Sequence, residues 1–182
     1  FNFLLVALFG PRKNVENTLR WFVEKYHDRE EMGIILKTSL AGNSELDRVH
    51  TKNRINNILY SYPTRKCKVH LIHGRMTEAE MSCLMQHEKV KAMISLAHGE
   101  GYGLPLFEAA YHGLPVIAPG WSGQMDFLMQ EEEGKKKKKK YFSNVQFEIK
   151  RVQKEALWKG VIEEYASWCF PDKLSFQQRM EE

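Results

Sequence analysis

The sequence is poor in cysteine, has no apolar run long enough to cross a membrane, and lacks the phosphate loops of two common nucleotide-binding classes. Its three cysteines, Cys67, Cys83 and Cys169, are scattered and show no C-x-x-C spacing. An odd, dispersed set gives neither a zinc site nor a disulfide framework and points to a reducing, cytoplasmic compartment. The apolar opening from Phe1 to Phe9 falls well short of the ~20 residues that span a bilayer, and it has no basic leader. No transmembrane segment or signal peptide is expected. No G-x-x-x-x-G-K-S/T loop occurs, which argues against a P-loop kinase. Gly10-Pro11-Arg12-Lys13-Asn14 stands where a dinucleotide-dependent oxidoreductase carries G-x-G-x-x-G. No initiator methionine precedes the first strand, so an excised domain, or a sequence lacking its N-terminal part, is expected.

What is present suits a single domain over residues 1–182. A hydrophobic content of 43%, with four Trp, ten Phe and seven Tyr, supplies a real core and excludes global disorder. The formal charge is +4, but six of the 27 basic residues form one run, Lys135 to Lys140. The rest is close to neutral, which argues against a nucleic-acid partner. Residues 130–141, with Glu131-Glu132-Glu133-Gly134 ahead of the lysines, read as a charged exposed loop.

Apolar runs and helical periodicities alternate along the chain. Phe3 to Phe9, Gly33 to Leu36, Val69 to Ile72, Val90 to Leu96 and Val116-Ile117 read as strands. Val15, Leu19, Phe22, Val23 and Tyr26 recur at helical spacing behind Asn14, a residue suited to the N-cap. A weaker helical pattern runs from Asp47 to Tyr60. Thr77 and Glu80 form a capping-box pair ahead of Met81, Leu84 and Met85, and Pro105 to His112 reads as a short helix stopped by Gly113. Strands apolar throughout, separated by amphipathic helices, predict an α/β, Rossmann-like open parallel sheet with helices on both faces. Residues 142–182 read as a tail, with an edge strand from Phe142 to Ile149 and a tryptophan-rich helix from Val152 to Phe170.

The fourth strand runs into His98-Gly99-Glu100-Gly101-Tyr102-Gly103-Leu104-Pro105-Leu106-Phe107-Glu108. Ligands of open α/β sheets gather at the C-terminal ends of strands. Glycines at 99, 101 and 103 let a ligand approach the backbone, and a helix starting at Pro105, with Glu108 in its first turn, aims free amides at the turn. Glu108 and Glu100 can accept hydrogen bonds from vicinal hydroxyls, as of a ribose or a sugar. A phosphate cradle beside two carboxylates fits a sugar nucleotide. His98, Trp121, the tail tryptophans and the ring of Tyr102 read as packing groups, and Met81, Met85 and Met93 as core fillers.

Glu100 and Glu108 stand in an E-G-Y-G-L-P-x-x-E-A setting that resembles the E-x7-E signature of retaining GT-B glycosyltransferases, with Tyr102 in place of the usual Phe. The stretch from Ala109 to Ala118 is similar to the family's continuation, and Ser122-Gly123-Gln124-Met125-Asp126 resembles its G-G-x-x-E. The resemblance covers residues 1–130 well and the tail weakly, and implies a C-terminal donor-binding domain. It implies Glu100, Arg12 and Lys13 as catalytic residues, Glu100 on the transferred sugar and the two cations on the diphosphate. It implies a donor site of Glu108, Gly101, Tyr102, Gly103, Leu104 and Lys37, with Gly74, Arg75 and Met76 facing the base. The usual G-R-x-x-x-K spacing is compressed at Arg12-Lys13. The substrate implied is a UDP- or GDP-sugar, the acceptor a glycan, lipid or protein held by an N-terminal acceptor domain absent from these residues. No D-x-D pair occurs, so metal-independent chemistry without a cofactor is expected. The rival reading is a non-catalytic sugar-nucleotide-binding or interaction module of the same shape.

Overall fold

A computed structural model describes the backbone of residues 1–131 and 138–182. Five β-strands and four helices alternate through its first two thirds: β1 (Asn2–Leu8), α1 (Val15–Tyr26), β2 (Gly33–Ser39), α2 (Glu45–Leu59), β3 (Lys68–Ile72), α3 (Glu78–Met85), β4 (Val90–Ile94), α4 (Leu104–Tyr111) and β5 (Val116–Pro119). A one-turn helix α5 (Met125–Leu128) follows, then a ribbon of β6 (Met129–Glu131) and β7 (Lys138–Lys140). The chain closes with β8 (Ser143–Val145), β9 (Phe147–Arg151), β10 (Ser167–Pro171) and α6 (Lys173–Arg179).

The main sheet has six strands in the order β3-β2-β1-β4-β5-β8, and every pair in it is parallel. Its middle strands are apolar on both sides because both sides are covered. Phe3 and Leu5 of β1 join Ile34 and Leu36 of β2 against Leu19, Phe22 and Val23 of α1 and Ile55 and Ile58 of α2. Leu4, one residue out of phase, faces the other way with Met93 and Val116 toward Met85 of α3 and Leu106 and Ala109 of α4. α6 closes the first layer, where Phe176 is fully buried and Tyr26 Oη donates to the Met180 carbonyl at 2.8 Å. The fold is α/β and Rossmann-like. Strand order reverses between β1 and β4, which opens a crevice at their C-terminal ends.

Local signals behaved unevenly. The Thr77–Glu80 capping box forms in both directions, and α4 ends at Gly113 with φ of +72°. Asn14 stands at the N-cap of α1 but its side chain caps no helix amide. It lies in the left-handed region at φ 53°, and its amide nitrogen donates to the Leu96 carbonyl while its oxygen accepts from Asn17. α4 begins at Leu104, so Glu108 sits in its second turn and not its first.

The tail departs most from expectation. Residues 152–170 form no α-helix: a short 3-10 helix at Lys154–Ala156 leads to a bridge between Trp158 and Ile162, and β10 pairs antiparallel with β9. Gly160, at φ +82°, turns the chain where a helix would have to continue. Trp158 is exposed rather than packed. The single edge strand expected from Phe142 to Ile149 is two strands in different sheets, because β8 joins the main sheet beside β5 while β9 leaves it for β10. The charged loop is strand at both ends, β6 pairing with β7 and Tyr141 Oη donating to Gln130, while residues 132–137 lie outside the described part.

Candidate functional site

The crevice between β1 and β4 gathers side chains far apart in sequence. After β1 the chain turns through a short 3-10 helix, Pro11–Lys13, which carries Arg12 and Lys13. After β4 it enters the glycine turn that carries Glu100. The Arg12 carbonyl accepts from the His98 amide at 2.8 Å, which fastens the two loops backbone to backbone. Lys13 Nζ then lies 2.5 and 2.7 Å from the two carboxylate oxygens of Glu100. Arg12 Nη1 reaches one of those oxygens at 3.1 Å and the Gly99 carbonyl at 2.5 Å. Glu100 is 11% exposed and Lys13 18%, so the pair is shielded, whereas Arg12 is 44% exposed. In this state the three sequence-derived catalytic candidates form one ion cluster.

The loop after β5 supports the glycine turn. Ser122, itself at φ 65°, accepts through Oγ from the Glu100 amide at 2.9 Å, and the Gly123 amide donates to the Glu100 carbonyl at 3.1 Å. A Cβ on Gly123 would sit 1.9 Å from the Gly101 carbonyl oxygen, so only glycine fits there. Gly103, at φ +89°, leads directly into α4. Among the described residues, the amides of Gly101, Tyr102, Gly103 and Leu104 donate to no protein acceptor. They stand at the positive end of α4, a favourable place for an anion. Tyr102 is 43% exposed, its ring leaning on Phe107 and Phe127.

Glu108 does not join the ion cluster. It is exposed and lines a cavity of about 580 Å³ between α4 and α3, with His112 on its own helix and Met76, Met81, Ser82 and Met85 opposite. Met76 belongs to the loop after β3, as the sequence suggested for the base-facing segment. Gly74 (φ +96°) and exposed Arg75 precede it, and the Gly74 carbonyl accepts from Lys37 Nζ at 2.5 Å. Burial lowers the pKa of Lys37. The two glutamates thus stand at opposite ends of one turn, Glu100 toward β1 and Glu108 toward α3.

His98 is structural. It is buried, stacks on Trp168 at 4.8 Å and touches Phe170, and its Nδ1 lies 2.5 Å from the Cys169 carbonyl. The Cys169 amide returns a bond to the His98 carbonyl at 3.0 Å. Burial holds the imidazole pKa below its ordinary value, and burial pushes the Cys169 thiol up to about 12. Sequence reasoning missed this tie, the Ser122 contact and a part-buried Asp47–His73 hydrogen bond. A serine or histidine without a motif gives no sign of its partner. Among the described residues, no group of three or more His, Cys, Asp and Glu side chains is placed to hold a metal, and no helix is long and apolar enough to cross a membrane.

No family model matches the chain, and no curated protein matches it in sequence. Solved structures do match its fold. The C-terminal domain of a glycosyl transferase group 1 family protein, LpcC, from Francisella tularensis superposes with a TM-score of 0.55 at 14% identity, over 72% of this chain and 63% of that one. The GtfA/B complex gives 0.52 at 15%, over 100% of this chain and 28% of that one. Trehalose-6-phosphate synthase OtsA gives 0.50 at 14%, over 70% and 30%. The chain therefore shares its fold with these domains, and spans less than a third of the two larger proteins.

Proposed function

We propose that this chain binds a nucleoside-diphosphate sugar and serves as the donor half of a retaining glycosyltransferase, working with a second domain that holds the acceptor. The observation that carries this reading is the meeting of Arg12, Lys13 and Glu100 with four unpartnered amides at the reversal point of the sheet. Breaking the bond between sugar and diphosphate leaves positive charge on the sugar and negative charge on the leaving group. Once a donor has drawn Lys13 and Arg12 from Glu100, these cations and the free amides stabilise that leaving group as charge grows. Arg12, Lys13 and the amides of Gly101 to Leu104 serve the diphosphate, and Glu100 takes the hydroxyls of the transferred sugar. Glu108 accepts from the ribose, and Met76 and Met81 flank the base in the cavity beside it. Glycine at 101 and 103 keeps that turn open to the phosphates. No metal is assigned a role, and UDP- or GDP-sugars are the donors to try first.

One observation favours the rival, a binding module without catalysis: both Glu100 oxygens already accept from Lys13, so a donor must compete with an internal ion pair. Two measurements separate the readings. Calorimetric titration with UDP and GDP tests donor binding, and silence at millimolar ligand would sink both readings. Release of nucleoside diphosphate from UDP- or GDP-sugars by the intact protein tests catalysis. Binding without release, with every acceptor class tried, would leave the module.

A further inference from the structure

The turn ahead of the proposed base cavity is held from behind by a part-buried hydrogen bond between two side chains. His73 ends the run from β3 into the turn, and its side chain is 5% exposed. Its Nε2 lies 2.8 Å from Asp47 Oδ2, on a side chain 10% exposed in the first turn of α2. The same carboxylate accepts from the amides of Ala41 at 3.1 Å and Gly42 at 3.4 Å, in the loop after β2. One acid therefore ties the loop after β2 to the loop after β3. From β2 itself, Lys37 Nζ holds the Gly74 carbonyl. The turn is pinned on both sides, and Met76, two residues beyond Gly74, projects into the cavity that Glu108 lines.

Neither Asp47 nor His73 touches that cavity. Shielding a carboxylate and an imidazole from water is costly unless each is paired, so such pairs are weak devices for stability and better suited to fixing geometry. The His73 hydrogen bond also keeps the Asp47 carboxyl below its usual range, so the acid stays ionised as an acceptor for both loops.

We propose that Asp47 and His73 are positioning residues that fix the turn Gly74-Arg75-Met76 against the cavity and thereby set affinity for the nucleoside end of the ligand. This rests on the donor-binding reading above. The pair acts on the base and ribose only. The phosphate end is held by Arg12, Lys13 and the glycine turn, on the far side of β1 from β2 and β3.

Calorimetric titration of the full chain with UDP, GDP and inorganic pyrophosphate tests this, in the wild type, Asp47→Asn and His73→Phe. Asp47→Asn keeps one oxygen, for the Ala41 amide, and replaces the oxygen that the Gly42 amide and His73 share. Each variant is expected to lose about tenfold in nucleotide affinity, as coupled contacts commonly do. Pyrophosphate affinity should stay within about twofold, since no contact to the phosphate end changes. The double variant should be no worse than the weaker single one, because one interaction is removed twice. Hydrogen exchange at residues 73–76 gives a second readout without ligand, and it should speed up in both variants. Unchanged nucleotide affinity with unchanged exchange overturns the proposal, as does an equal loss for pyrophosphate. A wild type that binds neither UDP, GDP nor pyrophosphate removes the donor-binding reading and this inference together, and is distinct from wild-type binding that the variants leave unaltered.

Discussion

Replacing Gly123 with alanine is expected to push the glycine turn out of place. The added Cβ would lie 1.9 Å from the Gly101 carbonyl oxygen, 2.6 Å from its carbon and 3.0 Å from Tyr102 Cα. Non-bonded heavy atoms are comfortable at about 3.5 Å, so one backbone must withdraw by roughly 1.5 Å. Neither partner is a side chain that can swing aside. Withdrawal breaks the Gly123 amide bond to the Glu100 carbonyl and the Glu100 amide bond to Ser122 Oγ. Two hydrogen bonds at about 0.5–1.5 kcal/mol each, with overpacking of about 1–3 kcal/mol, give a loss on the order of 2–6 kcal/mol. Because the turn carries Glu100, a shift of this size should also weaken ligand binding. Urea unfolding followed by tryptophan fluorescence gives the first quantity, and nucleotide titration the second. A Gly123→Ala protein with the wild-type urea midpoint would refute the contact itself. Loss of stability with unaltered nucleotide affinity would refute the link from that contact to the site.

Lys13→Ala is expected to weaken inorganic pyrophosphate and nucleoside diphosphates far more than nucleosides, because the lost contact is a charge. Glu100→Gln should tighten pyrophosphate by several-fold, since it frees Lys13 and Arg12 from their internal partner. Equal affinities in wild type and Glu100→Gln would show that the ion pair does not compete with an anion. His98 predicts an acid-side loss of stability. The folded protein holds the imidazole pKa down, so below about pH 6.5 the unfolded chain binds a proton that the folded one refuses. Stability is untouched above that pH and falls as pH drops through it, until the lowered folded pKa is reached. Urea midpoints at several values between about pH 7.5 and pH 5 should decline in the wild type and stay flatter in His98→Gln; parallel declines would assign the loss to other groups.

The parallel sheet was legible because its strands are predominantly apolar, broken only by residues such as His70 and Lys91, and the intervening helices carry their own punctuation, as at Thr77 and Gly113. The meeting of Arg12 and Lys13 with Glu100 was legible only as a resemblance. Nothing in local chemistry says that residue 13 reaches residue 100; the sheet order does. Asn14 shows a propensity overridden by tertiary contact, since its carboxamide meets Leu96 and leaves the helix end bare. The tail misled for a related reason. Apolar residues between Val152 and Phe170 do fall at helix-like intervals, but pairing with β9 and the surface offered by His98 decide the matter. Asp47 entered the sequence pattern only as the start of a weak helix, and its partner lies 26 residues away.

The stacking of Trp168 on His98 gives the end of the chain a part in events it never meets directly. The backbone amide of His98 also donates to the Arg12 carbonyl, so one residue, through its ring and its main chain, is the keystone among the beginning, middle and end of the polypeptide. A shortened protein stopping ahead of Ser167 would keep every side chain assigned to the donor and still lose the wall on which their loop leans. The boundary of a working fragment is therefore set by this masonry, and not by the reach of the recognisable motif.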